Sequence, residues 1–399
     1  MKMKKTVLTS LIILLLLFTP ILIGYKTHAQ ANLTTKIVDD DGTADFDTIQ
    51  DAINNATDGE TILVRSGTYP ENVIINKSVS LLGEDRETTI IDGGETGSVI
   101  FLTASNVKIN GFTIQKSGTA LYDSGILVTH SRGNDISHNK ITDNYHGIYL
   151  SYTRDSTISD NDIYSNKING ISLDSSNNNH VTSNNISSNY VNGIRLASSS
   201  GNTIWGNNVN SNKVTGIRLD SSNNNIVSCN SACLNEFNGF RLDFSSSNTI
   251  WGNNIDSNND YGIRLDPSSN NNIIYHNNLN NTMGQVSSDS KNVWNYDGEG
   301  NYWNNYTGQD LNGDGIGDTP HVIDVNNKDN YPLMGRFSDF KVPWKDKTYH
   351  ATTICNSTIS NFKFEVGRET GNKIISFGVT GENGTVGFCR GMIPTELMN

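Results

Sequence analysis

Apolar and polar residues alternate with a period of two inside short stretches, and the stretches themselves return every 22 or 23 residues. Seven segments of the form Gly-(Ile/Phe)-x-(Leu/Val) begin at Gly125, Gly147, Gly170, Gly193, Gly216, Gly239 and Gly262, one step of 22 residues followed by five of 23. In Gly216-Ile217-Arg218-Leu219-Asp220 the alternation sends Ile217 and Leu219 inward and Arg218 and Asp220 outward, and Ile194/Leu196 and Ile263/Leu265 repeat it. Each period holds two further stretches of this kind, such as Thr203-Ile204-Trp205 and Asn208-Val209-Asn210, with Ser and Asn turns between them. A fixed period of this length marks a solenoid, and three short strands per period predict an all-β parallel β-helix. Helical and leucine-rich repeats are excluded, because each repeat is dense in Ser, Asn and Gly, which form helices poorly.

Two asparagine columns accompany the repeat: Asn139, Asn161, Asn184, Asn207, Asn230 and Asn253, and Asn144, Asn166, Asn189, Asn212, Asn235 and Asn258. Like side chains stacked at about 4.8 Å can hydrogen-bond along the axis. Equally, each Asn suits a left-handed turn position. Both readings are structural. Upstream, residues 39–53 join an acidic turn to a helical pattern with Phe46, Ile49, Ala52 and Ile53 on one face, suited to cap the open end of the stack. Past residue 336 the period stops, and strand-like runs at 358–366, 373–379 and 385–393 between Gly-rich turns predict a small β-domain. The expected organisation is a signal peptide at 1–31, a cap at 32–58, the β-helix at 59–336 and the small β-domain at 337–399.

A hydrophobic content of 35% would suggest disorder in an unpatterned chain, but a solenoid needs only its inward positions to be apolar. The net charge of −12 and the lack of a long basic run argue against a nucleic-acid partner. Lys2, Lys4 and Lys5 precede an apolar run at 7–18, and Ala29-Gln30-Ala31 supplies a cleavage site, so a secreted or cell-surface chain starting near Asn32 is expected, with no membrane span after cleavage. The alternative is an uncleaved anchor, since residues 21–25 lengthen the apolar stretch. Export gives meaning to the glycosylation sequons at Asn32, Asn55, Asn76, Asn185, Asn280, Asn305, Asn356 and Asn383. Of the four cysteines, Cys355 and Cys389 flank the C-terminal segment and are expected to pair; alternation turns Cys229 inward and Cys233 outward.

The sharpest chemical feature is an outward column of Arg195, Arg218, Arg241 and Arg264, with Asp220, Asp243 and Asp266 two residues beyond the last three. Adjacent guanidinium groups at about 4.8 Å in water repel by roughly 0.9 kcal/mol, so a carboxylate column is the expected neutralising partner. The functional alternative is a strip that grips an acidic polysaccharide through Arg–carboxylate forks. Trp205, Trp251 and Tyr275 form a second outward column, able to stack on sugar rings or to pack against a neighbouring part of the chain. Asp310, Asn312, Asp314, Ile316 and Asp318 follow the spacing of a calcium loop with Gly315 at its sixth position, although His321 stands where a bidentate Glu belongs. An Asx-turn cluster explains the same residues. Copper is disfavoured, because His130, His138, His146, His180, His276 and His321 are scattered; of these, His130, His138 and His146 could approach within one coil.

The opening, Asp47-Thr48-Ile49-Gln50-Asp51-Ala52-Ile53 followed by Val64-Arg65-Ser66-Gly67-Thr68-Tyr69, resembles the first coils of pectate-lyase-like right-handed β-helix proteins. The Gly-Ile-x-Leu repeats, with Asn301-Tyr302-Trp303 and Tyr331-Pro332-Leu333 beyond them, are more closely similar to the NosD-type β-helix repeat family over residues 36–335. The stretch 380–389 resembles the terminal domain of methanogen-type surface proteins. The resemblance implies a right-handed, single-stranded β-helix; it is specific for fold and weak for activity, since such proteins include copper-associated periplasmic proteins, sugar-active enzymes and surface proteins. Three readings stand open: a non-catalytic surface protein that binds glycans or envelope partners, a polysaccharide lyase, hydrolase or epimerase, and a periplasmic accessory factor. The hydrolase Asn-Thr-Asp and paired-Asp motifs and the epimerase Asp-Pro-His-Glu motif are missing from this sequence, which disfavours the second.

Overall fold

The alternation read from the sequence is realised as three parallel sheets wound from one chain in the structure, a computed structural model that describes residues 34–367, 371–381 and 386–398. The expected export signal and cleavage site and the sequons at Asn32 and Asn383 lie outside those residues. An arginine sheet of 10 strands carries the Gly-Ile-x-Leu segments, a tryptophan sheet of 11 carries Thr203–Trp205 and its equivalents, and a third sheet has 11. Register between coils keeps like on like: Ile194 pairs with Ile217, Arg195 with Arg218 and Leu196 with Leu219. Ile194, Leu196, Ile204 and Val209 are fully buried, so each coil adds its inward aliphatics to one continuous core.

Corners between sheets explain the asparagines. The residue just before each ladder position is left-handed, as at Asp160, Ser183, Cys229 and His276, with φ between 55° and 57°. The asparagine itself turns in and bonds along the axis. Asn184 donates from both N and Nδ2 to Asn207 Oδ1 at 3.0 Å and from Nδ2 to Ile158 O at 2.9 Å. The hydrogen-bonded ladder is therefore the correct reading, and the turn conformation belongs to its neighbour. Asn179, Asn202, Asn225, Asn248 and Asn272 build a third ladder that the sequence reading overlooked. Two ladders end on carboxylates, which only accept: Asn301 N donates to Asp329 Oδ2 at 2.7 Å, and Asn327 Nδ2 to Asp324 Oδ2 at 2.7 Å.

At the N-terminal end, helix Ile49–Asn55 covers the stack with Ile49, Ala52 and Ile53, all fully buried. Thr48 caps it by accepting from Asp51 N, and Glu71 accepts from Ile49 N and Gln50 N. Phe46 packs on the same core from outside the helix, in a bridge to Val38. At the other end Trp294 and Trp303 close the core, with Trp303 Nε1 donating to Asp329 Oδ2 at 2.8 Å. Beyond them come two antiparallel hairpins, Arg336–Trp344 with Lys347–Cys355 and Thr358–Val366 with Lys373–Thr380; strand Cys389–Met392 adds to the first.

Candidate functional site

The outward arginines stack in register on four consecutive coils of the arginine sheet. Their charges are neutralised between coils as well as within them. Arg195 Nε meets Asp220 at 2.7 Å, Arg218 bridges Asp220 at 2.8 Å and Asp243 at 3.0 Å, and Arg241 Nε meets Asp243 at 2.8 Å. Asp266 departs from the expected pairing. It lies past the strand end and accepts from Phe244 N, Ser268 N and Ser269 Oγ, so it fixes a turn. Among the described residues Arg264 consequently has only Asp260 as an ion partner, at 4.0 Å, and its side chain is half exposed.

One interruption of the repeat lies on this sheet. Residues 116–123 depart from the coil and lay Tyr122 against Tyr149, with ring centroids 5.4 Å apart. His146 packs edge-on to Tyr149 at 5.1 Å, and Tyr149 donates to Asp174 at 2.9 Å. Burial pushes the His146 imidazole down to about 4, with Arg195 nearby acting in the same direction and a bond to the Leu121 backbone opposing. The Tyr149 phenol is pushed up by burial and by Asp174, so it stays protonated. His146 Nδ1, Asn192 Oδ1, Thr215 Oγ1 and Asn238 Oδ1 are buried without a hydrogen-bond partner, all in the column just before the repeat glycines.

The aromatic column is in register, Trp205–Ser228–Trp251–Tyr275, but the C-terminal hairpin covers part of it. Lys341 Nζ sits 3.3 Å from the centre of the Trp205 ring, and Trp251 packs with Phe337. Strand Arg336–Trp344 climbs the solenoid along a corner whose residues are Gly206, Cys229, Gly252 and His276. Phe337 exchanges two backbone bonds with the Asn278 side chain, His276 stacks on Phe337 at 4.1 Å, and Arg336 meets Asp256 at 2.8 Å. Cys229 therefore differs from the expected inward position: its left-handed conformation turns the thiol outward to Asp339 at 3.7 Å, and burial with Asp339 pushes it up to about 12. At the foot of the hairpin Glu299 meets His276 at 2.7 Å and Arg390 at 2.9 Å, and His276 holds its carboxyl below the usual range.

In the loop 310–318, Asp310 accepts from Gly313 N, Asp314 N and Gly315 N, Asp314 from Ile316 N, and Asp318 from Leu311 N. The aspartates thus hold amides of their own loop, with the two-residue spacing of an Asx-turn at Asp314, and among the described residues no three His, Cys, Asp or Glu side chains converge as a metal set. His130, His138 and His146 stand at three different corners: the first stacks on Tyr152, the second is exposed and the third is buried. They are not brought together. Cys355 and Cys389 face each other across adjacent antiparallel strands, both as thiols.

A family profile described as periplasmic copper-binding protein (NosD) matches residues 53–238 and 206–308, which together span over half of the chain. A cell surface glycoprotein of Methanothermus fervidus is 38% identical over 80 residues, 19% of this chain and 13% of that protein. This chain thus spans only a small part of that relative's length. Among solved structures, Geobacillus virus E2 ORF18 superposes with a TM-score of 0.52 at 17% identity, covering 62% of this chain and 57% of that one. The A-module of the Azotobacter vinelandii mannuronan C-5 epimerase AlgE6 gives 0.48 at 15%, covering 62% and 94%. The first likeness speaks to the fold alone, and the second is too weak to carry even that. The copper in the family's description finds no matching donor set among the described residues: Cys229 is a protonated thiol held by Asp339, Cys233 stands apart beside Ser231, and no His, Asp or Glu joins the Cys355–Cys389 pair as a third ligand. What the chain does share with the family is the repeat itself, through residue 308, and on that match it belongs to the NosD family.

Proposed function

We propose that this chain is an exported β-helix protein of the cell envelope or surface whose arginine sheet binds acidic glycans or other envelope polymers. The carrying observation is the row of guanidinium groups at the coil repeat. Arg195 and Arg241 meet their aspartates through Nε with side chains still about a third exposed, and Arg264 is only weakly paired. The family's periplasmic description and the surface glycoprotein relative support the location. Binding to a panel of acidic polysaccharides tests the reading: retention should weaken as salt rises and should drop on Arg264→Gln, the arginine whose loss disturbs the ladder least. No retention in the parent, or retention indifferent to both, rejects it.

A second reading, a carbohydrate-active enzyme, is favoured by the interruption at residues 116–123. A neutral imidazole at His146, a protonated phenol at Tyr149, Asp174 and Arg195 are the parts of a proton-transfer site beside a carboxylate anchor. New unsaturated or reducing ends in the same panel, lost on Tyr149→Phe, would establish it over binding alone. Calcium enters as a stiffener of the solenoid's end at loop 310–318, where the carboxylates of Asp310 and Asp314 accept loop amides and keep lone pairs free for a cation. A higher melting temperature in calcium than in chelator, absent in Asp310→Ala, supports this; identical melts remove it.

A further inference from the structure

Between the tryptophan sheet and the C-terminal hairpin lies an open cleft of about 500 Å³, within the range of roughly 300–1,000 Å³ typical of small-molecule sites. One wall is a run of aromatic rings. Trp251 and Tyr275 are nearly parallel with centroids 6.1 Å apart, and Tyr275 meets Tyr296 at 5.2 Å. Tyr296 ends the run and is 58% exposed, so its outer side is open to a ligand. The opposite wall comes from Arg390, Thr352 and Met392 of the hairpin.

The polar groups decide what fits. Glu299 and Asp297 set two carboxylates against the one guanidinium of Arg390, which Glu299 already engages at 2.9 Å and which also donates to Asp314 O. The cleft thus lacks the unspent positive charge that a uronate or a sulfate ester would need, and what it offers a ligand is carboxylate acceptors beside aromatic rings. Carboxylate oxygens accept from hydroxyl groups, and aromatic rings cover the apolar faces of pyranose rings. We propose that this cleft binds a neutral pyranose residue of a glycan, with Tyr296 and Trp251 as the stacking wall and Asp297 and Glu299 as acceptors for its hydroxyls. The site goes beyond the arginine-sheet reading: it lies on another face, takes a neutral ligand where the arginine sheet takes an acidic one, and joins the solenoid to the hairpin.

Saturation-transfer NMR on the full chain, with neutral gluco-, manno- and galacto-oligosaccharides beside oligogalacturonate, tests it. A neutral oligosaccharide should bind the parent, lose at least about tenfold in affinity on Tyr296→Ala, weaken on Trp251→Phe and be unchanged on Arg264→Gln. Melting curves of each variant establish that the fold is kept; Tyr296 is exposed enough for this to hold. Absence of any neutral ligand in the parent overturns the proposal, as does binding unchanged in both Tyr296→Ala and Trp251→Phe. Binding restricted to oligogalacturonate and lost on Arg264→Gln also overturns the cleft, while leaving the arginine-sheet reading in place.

Discussion

At the scale of single residues, the metronomic glycines are set by space. A β-carbon on Gly193 would overlap Val209 Cγ1 and come within 2.8 Å of Gly216 O and 2.9 Å of Asn212 Nδ2. The last two are backbone and ladder atoms that cannot withdraw without opening the coil. Gly193→Ala is expected to cost about 1–3 kcal/mol, read from denaturant midpoints at constant slope. A midpoint equal to the parent's would show that the coil can relax. The column just before these glycines offers the opposite test. Asn192 donates from N and Nδ2 to Asn169 Oδ1, but its own Oδ1 is orphaned, because Thr215 above it cannot reach back. Thr215→Asn, nearly equal in volume, extends the ladder from Asn169 towards Asn238 and should raise stability by about 1 kcal/mol. Unchanged or lower stability would mean that another group, such as an ordered water, already satisfies Asn192.

Among elements, the joint between strands Lys347–Cys355 and Cys389–Met392 gives the clearest test. Directly opposed antiparallel residues lie at about 4.5–5.5 Å between Cα atoms, within the reach of a disulfide, and Cys355 and Cys389 are so opposed. Oxidised glutathione can take the two electrons and two protons of the thiols, which would leave the protein two hydrogens lighter. The crosslink should stabilise by about 3 kcal/mol and Cys355→Ser should gain nothing. A mass unchanged after oxidation would refute the pairing. The same joint shows where legibility stops. Coil register, the cap helix at Ile49 and the Trp205–Trp251–Tyr275 column are periodic or local, so spacing alone reveals them. The hairpin's path is tertiary, and its one sequence signal is the change from Asp160 and Ser183 to Gly206, Cys229 and Gly252 along the corner it occupies. Likewise, alternation places Asp220 beside Arg218, but pairing with Arg195 of the preceding coil and the loss of Asp266 to a turn depend on side-chain reach, which periodicity does not encode.

For the whole molecule, two buried titratable groups at distant places make opposite demands on acidity. His146, under the interruption at residues 116–123, has its pKa lowered from 6.5 to about 4 by burial. Its contribution is full above pH 6.5 and is lost as pH falls through 6.5 towards 4, because the unfolded chain takes up the proton first; the loss totals about 3 kcal/mol. Asp329, in the closing cap, has its pKa raised from 3.8 to about 6 by burial, against the pull of donors from Trp303, Asn301 and Tyr331. Here the folded chain takes up the proton first, so stability grows as pH falls from 6 towards 4 and is lost again as pH rises, also by about 3 kcal/mol. Between pH 6 and 4 the two terms oppose each other in the parent. Relative to the parent, His146→Phe should gain stability on acidification across this window, whereas Asp329→Asn should lose it. Denaturant midpoints of the three proteins at pH 7, 6, 5 and 4 measure the difference without reference to the other carboxylates, which all three share. Parallel curves for parent and His146→Phe would show that the imidazole reaches water and that the loop leaves it accessible in the folded protein. Parallel curves for parent and Asp329→Asn would show that the three donors keep the carboxylate ionised at the end of the asparagine ladder.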